Sequence, residues 1–179
     1  MRAVFLDRDG VINEDRDDYV KNVHELKVFP FAPEAIRRLN EAGLNAFVVS
    51  NQQGIAKGVI AESDLLQIQN EISRQVEEAG GKITAFYYCK HLSSEECACR
   101  KPQAGMVISA GKDYGINLIE SVMIGDNEKD IIAGKRAGCR TVLVLTGKLT
   151  LKDARSFAEP PDFVANNLSD AAEFIINSC

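Results

Sequence analysis

Short apolar runs alternate with longer amphipathic stretches along nearly the whole chain, and few folds accept that pattern. Residues 3–6, 45–49, 85–88, 122–124, 141–145 and 163–165 are largely apolar, as expected of strands buried on both faces. Between them, residues 33–41, 63–78, 107–114, 130–137 and a last segment reaching 176 read as helices. Pro33 suits a first helical turn, and Gly43, Gly115 and Gly138 fall at helix ends. Ser63 and Ser169 are candidate N-caps. Leu65, Leu66, Ile68, Ile72 and Val76 give the helix over 63–78 its apolar face. Strand–helix alternation predicts an α/β fold, a doubly wound parallel sheet with helices on both faces. In such sheets ligands sit beyond the carboxyl ends of the strands. The 179 residues suffice for one domain, 1–179, with a full core. Residues 147–161, closed by Pro160 and Pro161, read as a mobile surface segment.

The polar clusters all fall at those strand ends. Asp7 and Asp9 follow the first apolar run and precede Gly10. Two carboxylates in one short loop repel each other unless a cation sits between them. Mg2+, a hard ion with oxygen ligands, is the usual choice beside a phosphate. Ser50 ends the second strand, followed by Asn51, Gln52 and Gln53. Arg100 and Lys101 follow a cysteine cluster, and Asp126, Asn127 and Asp130 follow the fourth strand. Taken singly, the aspartates read equally well as turn formers and Lys101 as a solvated charge.

Cys89, His91, Cys97 and Cys99 form a second signal: Cys-x-His, a five-residue gap, then Cys-x-Cys. Three thiolates and one imidazole suit tetrahedral Zn2+, and four protein ligands leave no open position, so such a zinc is structural. Buried free thiols, or one disulfide from Cys89 to Cys97 or Cys99, are the alternatives. Cys139 reads as core, Cys179 as a terminal residue and His24 as a surface side chain. An odd count of five cysteines, three of them bunched, argues against a disulfide framework and for a reducing cytoplasm. The net charge of -5 and the lack of a basic run argue against nucleic acid and an anionic membrane surface. No stretch approaches the roughly 20 apolar residues of a membrane span, and no signal-peptide pattern opens the chain.

In this order, the four strand-end clusters resemble the haloacid-dehalogenase superfamily of phosphohydrolases, over roughly residues 3–147. The resemblance implies a Rossmann-like, Mg2+-dependent phosphatase. Asp7 would be the nucleophile that forms an aspartyl-phosphate, and Asp9 the general acid and base. Mg2+ would sit between Asp7, the Asp9 backbone and Asp126. Ser50 and Lys101 would hold phosphoryl oxygens, and Asp130 would orient the metal shell or Lys101. The 41 positions from Asp9 to Ser50 and the 51 from Ser50 to Lys101 leave no room for a large cap, so the site should be uncapped.

The cysteine loop followed by Arg100-Lys101-Pro102 narrows the resemblance to two families, the D-glycero-D-manno-heptose 1,7-bisphosphate 7-phosphatases and the histidinol-phosphate phosphatases. The stretches 7–13, 18–20, 51–58, 101–106 and 144–147 look more like the heptose enzymes, which act in making activated heptose for cell-surface glycans. The five-residue gap is similar to the histidinol-phosphate enzymes, and Asn127 stands where the heptose family often has Lys. By resemblance, Arg100 contacts a distal part of the substrate, a second phosphate; Asp15 to Asp18 line the sugar; and Asn51, Gln52 and Gln53 offer amides. The implied partner is a small sugar bisphosphate, and a monomer is expected. A phosphotransferase and a zinc-braced binding module without catalysis are the other readings.

Overall fold

A computed structural model describes residues 1–178; Cys179 lies outside the described residues. Six strands form one all-parallel sheet: β1 (Arg2–Leu6), β2 (Leu44–Asn51), β3 (Ile83–Cys89), β4 (Val122–Gly125), β5 (Arg140–Val144) and β6 (Phe163–Ala165). Their spatial order is β3-β2-β1-β4-β5-β6. The chain therefore winds outward from β1 in one direction, then crosses back and winds outward in the other. The crevice where the direction reverses lies at the carboxyl ends of β1 and β4, the usual ligand position in such sheets.

The helices are α1 (Ala32–Glu41), α2 (Glu62–Glu78), α3 (Gly105–Tyr114), α4 (Glu128–Ala137), α5 (Leu151–Ala154) and α6 (Leu168–Asn177). Alternate strand residues face opposite sides. Val4, Leu6, Ala46, Val48, Val122 and Ile124 pack with α1, α2 and α6. Ala3, Phe5, Phe47, Val49 and Met123 pack with Met106, Val107 and Ala110 of α3. Ile131 of α4, Leu143 and Ala154 close the same face beside β5. Cys139 is buried there as expected, and His24 is exposed.

Three local expectations are corrected. Ser63 does not cap α2: Ala61 does, in extended conformation, its carbonyl accepting from Asp64 and Leu65 N–H. Glu62 and Asp64 in the first turn supply the charge that a helix N-terminus favours. Leu66 is 54% exposed, because it lies off the stripe of Leu65, Ile68, Ile72 and Val76. Ser169 yields to Asn167, whose side chain accepts from Asp170 N–H at 3.0 Å. Within 147–161 the chain forms α5, capped by Thr150, and Lys148 reaches Asp15 at 3.1 Å and Asp17 at 2.5 Å. No helix among the described residues is long and apolar enough to cross a membrane.

Candidate active site

The crevice holds a cavity of about 200 Å3 at the reversal point. Asp7 and Asp9 reach it from the end of β1, Ser50 and Asn51 from the last two residues of β2, and Asp126 and Asp130 from beyond β4. Gln52, Lys101, Asp15 and Asn127 complete the set of expected residues on its wall. Parallel strands all end at one edge, so residues far apart in sequence converge there without any long-range loop.

Lys101 is the electrostatic centre. Its side chain is 2% exposed, with Nζ 2.9 Å from Asp7 Oδ1 and 2.6 Å from Asp130 Oδ1. A lone buried ammonium would cost several kcal/mol, and the two carboxylates offset that. Burial pulls the lysine pKa down, but Asp130 and Asp7 outweigh it and hold the group above its ordinary value. The Lys101 backbone is clamped as well: Asn51 Nδ2 donates to its carbonyl and its N–H donates to Asn51 Oδ1, both at 3.0 Å. Asn51 thus lines the cavity while spending its amide on Lys101.

Asp126 is the acidic side chain of the cavity with no ion-pair partner among the described residues, and Asp7 shares Lys101 with Asp130. Burial, then Asp7 and Asp130, push Asp126 up to about 8. Burial pushes Asp7 up to about 6 despite Lys101. Oxygens of Asp7, Asp126 and Asp130 lie within 4.8 Å of one another. An all-oxygen set of this charge fits a hard divalent cation, with Asp7 and Asp130 sharing Lys101 and Asp126 left without an ion-pair partner among the described residues.

Asp9 sits differently. Arg8, 1% exposed, grips it in a two-pronged pair, with Nη2 2.8 Å from Oδ1 and 2.9 Å from Oδ2. Asn13 and Gln52 each donate to it at 2.9 Å. Burial raises its pKa, but Arg8 and these amides outweigh that and hold the carboxyl below its ordinary value. Gln52 also donates to Ser50 Oγ at 3.1 Å, tying the ends of β1 and β2 together. Neither Arg8 nor Asn13 stood out in the sequence as a site residue. The signal was present only as adjacency to Asp9.

The other expected contacts divide. Asn127 caps α4: its Oδ1 accepts from Lys129 N–H at 3.2 Å, and Asp130 Oδ2 accepts from Asn127 N–H at 3.0 Å. Asn127 thus fixes Asp130 through a capping box. Asp18 lies away from the cavity wall, its carboxylate 2.6 Å from Lys21 and 3.0 Å from Arg16. Arg100 and Lys129 line an adjoining, more open cavity of about 470 Å3, and Gln53 sits against Arg100 at 3.4 Å.

Cys89, His91, Cys97 and Cys99 converge at the end of β3. Their sulfurs lie 3.3 to 3.5 Å apart, and His91 Nδ1 is 3.2 Å from Cys99 Sγ. A disulfide needs a separation near 2.05 Å, and these cysteines are free. Four such ligands spaced near the edge of a tetrahedron fit a bound metal. With metal–sulfur bonds of about 2.3 Å that edge is about 3.8 Å.

Sheet order, acidic cluster and buried lysine together fit a Rossmann-like hydrolase of the haloacid-dehalogenase type. Residues 98–171 match the HAD-hydrolase-like family. The chain is 41% identical over 145 residues to the D-glycero-beta-D-manno-heptose-1,7-bisphosphate 7-phosphatase of Pseudomonas aeruginosa, covering 81% of this chain and 82% of that one. It is 34% identical to the enzyme of the same name from Neisseria meningitidis, over 98% of this chain and 95% of that one. The crystal structure of D,D-heptose 1,7-bisphosphate phosphatase from B. bronchiseptica, complexed with magnesium and phosphate, superposes with a TM-score of 0.93 at 33% identity, covering all of both chains. This chain belongs to the heptose-1,7-bisphosphate 7-phosphatase family of HAD-like hydrolases.

Proposed function

We propose that this chain is a Mg2+-dependent phosphatase, one domain long and cytoplasmic, that removes the 7-phosphate of D-glycero-D-manno-heptose 1,7-bisphosphate. The observation that carries the reading is Lys101, buried between Asp7 and Asp130 beside Asp126, at the reversal point of the sheet. The similarity to enzymes of that name supports the substrate.

Asp7 attacks phosphorus, the bond to the sugar oxygen breaks, and an aspartyl-phosphate forms. Lys101 and Ser50 hold phosphoryl oxygens as charge gathers on them. Asp9 gives a proton to the leaving oxygen and then takes one from the water that hydrolyses the intermediate. Its grip by Arg8, Asn13 and Gln52 favours the ionised form, the one that second step requires. Mg2+, held by Asp7, Asp126 and the Asp9 carbonyl, offsets the repulsion between carboxylate and phosphate. Cys89, His91, Cys97 and Cys99 would hold Zn2+ in a structural role, bracing the loop that delivers Arg100 and Lys101. Arg100 receives the distal phosphate, and Asp15 faces the sugar.

The test is Mg2+-dependent phosphate release, comparing kcat/KM for both anomers of heptose 1,7-bisphosphate with histidinol phosphate. Asp7→Asn serves as the blank. Preference for one heptose anomer is the expected result. Preference for histidinol phosphate would show that the five-residue gap between metal ligands was the better guide. Phosphate release only when an acceptor alcohol is supplied would make the chain a phosphotransferase, and no turnover would leave a metal-braced binding module.

A further inference from the structure

Arg8 is the largest fully buried side chain among the described residues. A guanidinium only donates, and one sealed this deeply needs an acceptor for each of its nitrogens. Nε and Nη2 spend their donors on Asp9. Nη1 has no hydrogen-bond partner among the described residues. The hydroxyl of Tyr88, on β3, is buried and unpartnered as well.

Sheet register brings the two together. Leu6 pairs with Val48 and Ser50 with Tyr88, so Arg8, two residues past Leu6, falls in line with Ser50 and Tyr88. Residues two apart along a strand share a face, and Leu6, Val48 and Tyr88 pack in one cluster. Neighbouring strands lie about 4.8 Å apart, so only long side chains bridge β1 and β3, over the small Ser50 between them. Phe86 packs against the Tyr88 ring at a centroid distance of 6.0 Å, and Leu65 of α2 lines the groove on its outer side. Burial raises the phenol above its ordinary pKa against the pull of the Arg8 guanidinium, so it meets Arg8 as a neutral group. A neutral acceptor satisfies Nη1 without drawing Nε and Nη2 off Asp9, as a second carboxylate would.

We propose that Tyr88 is a positioning residue: through Arg8 it fixes the direction in which Asp9 presents its carboxylate to the leaving oxygen. Tyr88 itself stays clear of the substrate, since the cavity wall includes Arg8 and Asp9 and not Tyr88. The proposal rests on the phosphatase reading above and goes beyond it. Asn13 and Gln52 hold Asp9 from other sides, so losing Tyr88 loosens the carboxylate rather than freeing it.

The experiment uses the full-length, metal-loaded chain and two substrates with unlike leaving groups. The sugar oxygen of heptose 1,7-bisphosphate needs a proton to leave, whereas p-nitrophenolate leaves without one. Tyr88→Phe keeps the ring and removes the acceptor. It should lower kcat for the bisphosphate about tenfold with KM unchanged, a fraction of the roughly hundred- to ten-thousandfold that a placed general acid supplies. The first turnover of p-nitrophenyl phosphate, followed by rapid mixing as p-nitrophenolate release, should stay within about twofold of the unaltered chain, because that step needs no acid. Arg8→Lys, which keeps the charge and loses the fork, should show the same bias more strongly. Equal slowing of both reactions would make Tyr88 merely structural, and no slowing of either would disconnect it from Asp9; each overturns the proposal alone. Release from neither substrate by the unaltered chain would overturn the phosphatase reading and the proposal with it.

Discussion

Gly147 has no side chain because Asp126 occupies the space: a Cβ there would stand 1.9 Å from Asp126 Oδ2. Gly10, with φ +80°, would crowd the same carboxylate at 2.4 Å, and Gly125 would crowd Asp130 at 2.1 Å. Three glycines, one ending β4 and the others in the loops after β1 and β5, thus shape the pocket for the two acidic side chains after β4. Gly147→Ala should push Asp126 aside and weaken Mg2+ binding about tenfold, ~1–2 kcal/mol, read by calorimetric titration. Unchanged affinity would mean that Asp126 is not a ligand. At this scale the sequence was only partly legible. Asp7, Asp126 and Lys101 stood out because unlike charges at strand ends need a reason. Arg8 and Asn13 did not stand out as site residues, because their importance lies in whom they touch.

Among elements, the cysteine loop has the least apolar support. Residues 90–101 contain one 3-10 turn, Ser93–Glu95, and little core of their own. The ligand cluster therefore replaces packing as the source of order. Cys97→Ser should remove the bound metal and lower stability by more than ~2 kcal/mol, seen together as lost metal content and a lower Tm. Retention of both would sink the metal site. The loop was readable in sequence because thiol spacing has few other uses. The helix starts were less readable: Ser63 and Ser169 are good caps by type, yet Ala61 and Asn167 hold those positions because backbone entry angle decides which residue stands first.

Across the whole molecule, the alternation of apolar and amphipathic segments was enough to indicate a doubly wound parallel sheet, since few layer arrangements bury both. Strand order was not readable, because it depends on which edge each crossover takes. The site's charge has a consequence for the whole fold. Asp126 and Asp7 titrate near 8 and 6, above their ordinary value of 3.8. In that interval the folded, metal-free chain holds protons that the unfolded chain has released, so stability is lost as pH rises. Carboxylates with lowered values, such as Glu71 at about 2, act at the acid end instead. The metal-stripped chain should melt lower at pH 8 than at pH 6, and saturating Mg2+ should raise Tm more at pH 8. A flat Tm across that range would show that the acidic pair is not strained.

Only Arg100 separates Cys99 from Lys101. The ammonium proposed to meet the phosphoryl group is thus moored to the Cys/His cluster, while the acidic pair would take a different ion. On the proposed function, turnover would require both to be filled. On that reading the chain would work as a conjunction of two inorganic inputs, and depletion of the softer ion should stop catalysis however abundant the harder one is.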